Sequence, residues 1–329
     1  MISKKFNDAL LVGFGLKWKD IPPIEKKVEK NPFDYVARIK LLGYYMTGDN
    51  EPFARHYIWF VENSPEHEIL SDVQLRWHGE KEKNYRRIKK HWKKLLSIPG
   101  AQPKTFSNAA NFFASCEPEI SVSYVESAKR KDPWNTIWQY ELIGYYRTYS
   151  IEVGSRKCKQ ILDKALKCSK FLERRNISDE DKADVLRSVA QIAINGKKFE
   201  IAEEYAKKLG KFAQRQRTSE ARVKSIHFSK ILLGEIAYEK GFIDAACHHL
   251  CDSSRVKLPS IFGSFAPDFG LASRLLLDGR VEEVIYYLEN CKKIYFRVDH
   301  IDEWLSDIRA GKEPSGFGVF DPSESTEHY

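Results

Sequence analysis

One internal match constrains this chain more than any other feature. Asn31-Pro32-Phe33-Asp34, followed by Leu41-Leu42-Gly43-Tyr44-Tyr45, is answered 101 residues later by Asp132-Pro133-Trp134-Asn135 and Leu142-Ile143-Gly144-Tyr145-Tyr146. That offset is close to three steps of roughly 34 residues, and a unit of that length holds two helices and the turn between them. A chain built this way stacks helix pairs, each covering the apolar face of the next. Composition agrees. Among 329 residues there are only 18 Gly and 13 Pro, while 42% are hydrophobic and 30% charged, which favours helices with a buried stripe and a solvated back.

The clearest unit begins near His227. Leu233-Gly234 and Tyr238 lie on its first helix, Lys240-Gly241-Phe242 form the turn, and Ala246, Leu250 and Ser253 lie on its second. Small residues at Gly234 and Ala246 let two antiparallel helices approach, and large apolar residues fill the space around that contact. A second unit runs from Ala183 through Val189-Ala190, the turn Asn195-Gly196-Lys197, Ala202 and Ala206. A third runs from Phe265 through Leu271-Ala272, the turn Asp278-Gly279-Arg280, Val284, Leu288 and Cys291. The first unit, from Tyr35, has Leu41, Ala54 and Ile58 in place, but Leu42 stands at a small-residue position and Gly43 falls one place late. Another unit, near Pro103, contains Asn108-Ala109-Ala110-Asn111-Phe112-Phe113 and breaks at Glu117-Pro118-Glu119. Residues 66–80 read as an extended loop, 172–182 as a connection with Ser178 or Asp179 capping the next helix, and 252–267 as irregular around Pro259 and Pro267.

These units resemble the tetratricopeptide repeat (TPR). The chain as a whole resembles a group of bacterial TPR-like proteins. The likeness is carried by Asn31-Pro32, Ala37-Arg38, Leu41 to Tyr45, the HYIWFVENSPE run with Trp59, Glu62, Asn63, Pro65 and Glu66, the NAANFF run, and Ile308-Arg309-Ala310-Gly311-Lys312-Glu313-Pro314. It implies an all-α, right-handed α-solenoid of antiparallel helix pairs over residues 22–314, with an extension at 1–21 and a loose tail at 315–329. It brings no activity with it. It does imply that first-helix side chains line a groove: Phe228, Ile231, Glu235, Tyr238 and Glu239 in the clearest unit, and Asp184, Arg187, Gln191, Ile194 and Asn195 in the unit before. The first set makes an acidic, aromatic floor and departs from the Lys, Arg and Asn pattern of TPR domains that clamp a terminal carboxylate. A basic or amphipathic peptide suits it better. The same residues also suit an ordinary solvated helix surface.

Motifs of chemistry are weak. Gly13-Phe14-Gly15 lacks the third glycine and the Lys-Ser/Thr of a phosphate loop, Asp268-Phe269-Gly270 has no kinase catalytic-loop motif before it, and His67-Glu68 has Ser71 where a zinc protease needs its second histidine. No catalytic residue, cofactor or metal is expected. Cys247-His248-His249-Leu250-Cys251 puts two thiols four apart beside two histidines, but no second Cys/His pair lies nearby, so the thiols read as small packed residues. The six scattered cysteines, and an apolar run at 9–16 that ends in Lys17 and Lys19 without a cleavage signature, are what a cytoplasmic chain would show. No stretch is long enough to span a bilayer.

Residues 81–94 carry Lys81, Lys83, Arg86, Arg87, Lys89, Lys90, Lys93 and Lys94 against Glu82 alone, nearly the whole net charge of +8. Tyr85, Ile88, Trp92 and Leu95 recur at helical spacing beneath them. Arg86, Arg87, Lys89, Lys90, Lys93 and Lys94 could grip nucleic-acid phosphates, but the modest overall charge favours a solvated face. The expected function is therefore a protein- or peptide-binding scaffold. The alternative is a nucleic-acid-associated accessory protein, and an enzyme built from scattered residues is a third class. The sequence leaves the oligomeric state open.

Overall fold

The structure is a computed structural model describing residues 2–46, 51–77, 79, 82–215, 219–255, 267–293 and 298–318. The described residues contain sixteen α-helices and no strand. They fall into two units, Met1–Tyr149 and Ser150–Ser325.

The first unit contains α1 (Lys4–Phe14), α2 (Ile21–Lys30), α3 (Tyr35–Tyr44), α4 (Glu51–Asn63), α5 (Lys83–Leu96), α6 (Pro103–Phe113), α7 (Pro118–Lys131) and most of α8 (Thr136–Glu152). Residues 66–77 are more ordered than the sequence suggests, because Glu68–Ser71 and Val73–Leu75 form two 3₁₀ turns. First elements therefore begin at Tyr35, Glu68, Pro103 and Thr136, steps of 33, 35 and 33 residues. The 3₁₀ segment thus falls at the spacing of a first helix, between α4 and α5.

The NAANFF run explains how so little regular structure holds that place. Asn111 donates through Nδ2 to the Leu70 and Asp72 carbonyls at 3.1 and 2.7 Å, and accepts from Arg76 Nε at 2.8 Å. Asn108 donates to the Pro65 and His67 carbonyls at 2.8 and 3.0 Å. Two buried amides thus satisfy backbone acceptors that a helix would have satisfied for itself. Phe112 and Phe113 enter an aromatic core with Tyr57, Phe60, Trp77, Tyr85 and Trp92.

The 101-residue match is one of polar contacts as well as sequence. Tyr45 donates to Glu25 at 3.0 Å, and Tyr146 donates to Glu126 at 2.9 Å. Arg38 donates to the Pro32 carbonyl at 3.0 Å through one guanidinium nitrogen, and Gln139 donates to the Pro133 carbonyl at 2.8 Å. Arg38 also lies 3.8 Å from the Trp59 ring and donates to His56 Nδ1, so His56 holds its proton on Nε2 and donates it to Glu25. Burial pushes that imidazole down to about 4.

Gly43 and Gly144 match in sequence but not in role. Residues 1–21 carry α1, which packs on α3. A Cβ on Gly43 would stand 3.0 Å from the Gly13 Cα and closer still to the Leu10 carbonyl oxygen, whereas a Cβ on Gly144 meets nothing within 4 Å.

The second unit contains α9 (Ser155–Glu173), α10 (Asp179–Asn195), α11 (Phe199–Ala213), α12 (Ser219–Glu239), α13 (Ile243–Ser254), α14 (Gly270–Leu277), α15 (Val281–Cys291) and α16 (Val298–Arg309). The expected pairs α10/α11, α12/α13 and α14/α15 are all present and packed. Ser178 caps α10 by accepting from the Asp181 amide. The turns after α12 and α14 put Gly241 and Gly279 at φ 80° and 79°, but after α10 the left-handed residue is Lys197 at φ 53°, one place beyond the glycine. Gly234 sits where three helices meet. A Cβ there would be 3.4 Å from the Ala246 carbonyl of α13 and 2.5 Å from Leu271 of α14. Of the tail, Phe317 is buried, 5.2 Å from the Trp304 ring and 6.3 Å from Phe269. Lys81, Pro259, Phe265 and residues 319–329, which figured in the sequence reading, lie outside the described residues.

Gly43→Ala is expected to destabilise the protein by several kcal/mol, because two backbones must part. Gly144→Ala should be neutral or stabilise by up to about 1 kcal/mol, the helix-interior cost of glycine. Urea unfolding of the two variants measures both. Equal effects would refute the docking role of Gly43.

Candidate functional site

Three successive first helices, α10, α12 and α14, pack side by side, α12 touching both others. Arg187 and Gln191 stand one turn apart on α10. Phe228, Glu235, Tyr238 and Glu239 follow along α12, and Arg274 comes from α14. The Arg187 guanidinium lies 3.3 Å from the Phe228 ring centroid and 3.6 Å from the Asp268 carboxylate. Arg274 lies 4.4 Å from the Tyr238 ring and 2.7 Å from the Glu239 carboxylate. Each arginine thus covers an aromatic face and an acid at once, using a planar cation that lysine cannot imitate.

Between those two arginine–acid pairs lies Glu235. Burial raises its carboxyl to about 7, and the neighbouring Asp268 adds to the rise. A hydrogen bond from Gln191 and the charges of Arg274 and Arg187 work the other way. Its Oε2 is buried without a hydrogen-bond partner. The environment therefore suits a neutral carboxyl, or an ionised one facing a donor that the fold itself does not supply.

Backbone contacts fix Asp268. Its amide donates to His227 Nε2 at 3.1 Å, and its carbonyl accepts from the Tyr287 hydroxyl at 2.7 Å. His227 therefore carries its proton on Nδ1 and donates it to the Ser253 carbonyl at 3.1 Å. Burial pushes this imidazole down to about 4. With both nitrogens engaged by backbone, His227 acts as a structural brace and not as a base. Asp268 Oδ1 also accepts from the Gly270 amide at 3.0 Å, at the start of α14.

Of the groove residues expected from the sequence, Arg187, Gln191, Phe228, Glu235, Tyr238 and Glu239 gather on this face. Asn195 does not join them, because its amide donates to Ser150 Oγ at 2.8 Å. Ile194 and Ile231 are buried, at 6% and 2% exposure, and belong to the core. The floor is also not acidic as expected, since Arg187 and Arg274 offset Asp268 and Glu239. Arg274, Asp268 and His227 were missed. They were invisible as site residues because Asp268 precedes α14 and lies on no first helix, and Arg274 faces α12 only once α14 is docked.

The basic helix splits into two roles. Tyr85, Ile88 and Trp92 are buried in the core. Arg87 pairs with Glu51, and Lys89 pairs with Glu117 at 2.6 Å. Arg86, Lys90, Lys93 and Lys94 are exposed. At the cysteine cluster, Cys247 is buried and its thiol is pushed up to about 11, mainly by burial. His248 is exposed and lies 3.4 Å from Asp252. Among the described residues no three His, Cys, Asp or Glu side chains gather to hold a metal, and no helix is long and apolar enough to cross a membrane.

Comparison of the chain with protein-family models and with curated proteins gives no match.

The raised Glu235 carboxyl makes a stability prediction. Above the ordinary carboxylate range the fold bears the cost of ionising this group, and the cost grows until the pH passes about 7. Glu235→Gln should therefore stabilise the free protein at pH 8, by at most on the order of 3 kcal/mol, and leave it unchanged at pH 4. Thermal melts at the two pH values measure this, and equal gains at both would contradict it.

Proposed function

We propose that this chain is a TPR-like α-solenoid of antiparallel helix pairs in the cytoplasm, and that the face formed by α10, α12 and α14 holds a segment of a partner protein. One observation carries the reading. Three consecutive first helices bring Arg187, Gln191, Phe228, Glu235, Tyr238, Glu239 and Arg274 onto one contiguous face. Aromatic rings and arginines in that mixture are what protein-recognition surfaces are enriched in.

The chemistry favours a peptide that brings donors. The unpartnered Glu235 oxygen is buried in the free protein, and it accepts from a lysine, an arginine or a backbone N–H of the partner once the side chains that cover it move aside. Arg187 pairs with Asp268 and Arg274 with Glu239, and a bound segment can exchange its own carbonyls or carboxylates for those acids. The nucleic-acid alternative is less well supported, since Arg87 and Lys89 spend their charge on Glu51 and Glu117.

The test is affinity capture from cells of the source organism with wild type, Glu235→Gln combined with Glu239→Lys, and Lys90→Glu combined with Lys94→Glu. The first double variant should lose its co-purifying protein, with affinity reduced about tenfold or more, and the second should keep it. If every co-purifying protein binds the first variant unchanged, the proposed face is wrong.

A further inference from the structure

A second surface lies wholly within the first unit. The helices α5, α6 and α7 enclose an open cleft of about 540 Å³. Its floor is apolar, formed by Leu96, Phe106 and Tyr124, and Lys93 and Arg130 stand at its rim. Both cations are exposed, and among the described residues neither makes an ion pair. The surroundings are mostly cationic. Helix α5 contains no acid from Lys83 to Leu96, and α7 ends in Lys129, Arg130 and Lys131. Two acids lie nearby: Glu117, which pairs with Lys89 and also feels the charge of Lys93, and Glu126 in the cleft wall, which accepts from Tyr146 at 2.9 Å.

We propose that this cleft docks an acidic segment of a partner protein, with an apolar side chain on Leu96, Phe106 and Tyr124 and carboxylates held by Lys93 and Arg130. Charge complementarity selects an acidic occupant, and the apolar floor selects a segment that also carries a Leu- or Phe-like residue. One feature favours protein over nucleic acid. The exposed stripe from Arg86 to Lys94 is only about 12 Å long at the helical rise, which spans few phosphates. The surface is separate from the α10–α12–α14 face and stands whether or not that reading holds.

Fluorescence anisotropy with the full chain tests it. The probes are a fluorescein-labelled Glu/Asp-rich peptide containing one Leu, its Gln-for-acid counterpart, its Ser-for-Leu counterpart, and labelled oligo(dT). The acidic Leu peptide should bind, with affinity falling as salt rises. Lys93→Glu with Arg130→Glu should weaken it about tenfold or more, while the same charge change at the exposed Lys167 and Lys170 of α9 leaves it unchanged. The Gln and Ser counterparts should each bind more weakly. If circular dichroism shows that the charge-reversed variant has lost helix, Lys93→Gln with Arg130→Gln gives the same reading. Unchanged binding by the rim variants overturns the proposal, as does equal binding of the Gln or Ser counterpart. Tighter binding of oligo(dT) than of the acidic peptide overturns it in favour of nucleic acid.

Discussion

Helices can share a core only as closely as their backbones approach, and that approach is set by a few small residues. Gly234 is the pivot of the second unit, with α13 and α14 both within contact of the place a Cβ would occupy. Gly13 and Gly43 play the same part where α1 meets α3. Dispersion and apolar burial fall off steeply with a gap of half an ångström or more, so these contacts decide how well Leu41, Leu271 or Tyr287 can fill the space around them. The candidate face depends on this directly. Arg274 reaches Tyr238 and Glu239 because α14 lies against α12, and Arg187 reaches Phe228 because α10 does.

Close packing leaves little room for buried polar groups, and the first unit places them where regular hydrogen bonding stops. The entry to α3 is held by Arg38 on the Pro32 carbonyl and the entry to α8 by Gln139 on the Pro133 carbonyl. A cation and a neutral amide perform one task, since the task is to donate to a carbonyl and not to carry charge. The extra reach of the guanidinium is used elsewhere, on Trp59 and His56. Asn108 and Asn111 do for the 3₁₀ segment what a helix ladder does for its own carbonyls.

The sequence made the helix pairs legible because apolar residues recur at a helical period and the turns carry glycine. Six of the ten residues expected to line a groove share one face for the same reason: on a first helix whose buried side is known, the opposite side is known too. Asn195 fell outside because it is the last residue of α10, where the chain turns toward Ser150. What escaped was anything set by contact between distant segments. No local pattern states that residues 68–75 are ordered as 3₁₀ turns, since the reason lies in two asparagines some 40 positions away. Nor does any local pattern state that an arginine from α14 cancels an acid on α12.

That cancellation changes what the face can recognise. An uncompensated row of acids would attract any cation by long-range field and discriminate poorly. Here Asp268 and Glu239 are already matched, so the net attraction is small and the remaining unmet demand is local, at Glu235 Oε2. A ligand gains from this site only by presenting a donor at that point, because a cation elsewhere on the face meets arginines as well as acids. Specificity then comes from geometry more than from charge, because only a ligand whose donor reaches the buried oxygen relieves the cost of leaving it unpaired. If the bound donor is a cation, it favours the ionised carboxyl. Association would then release a proton near neutral pH, and affinity would rise as the pH passes through about 7.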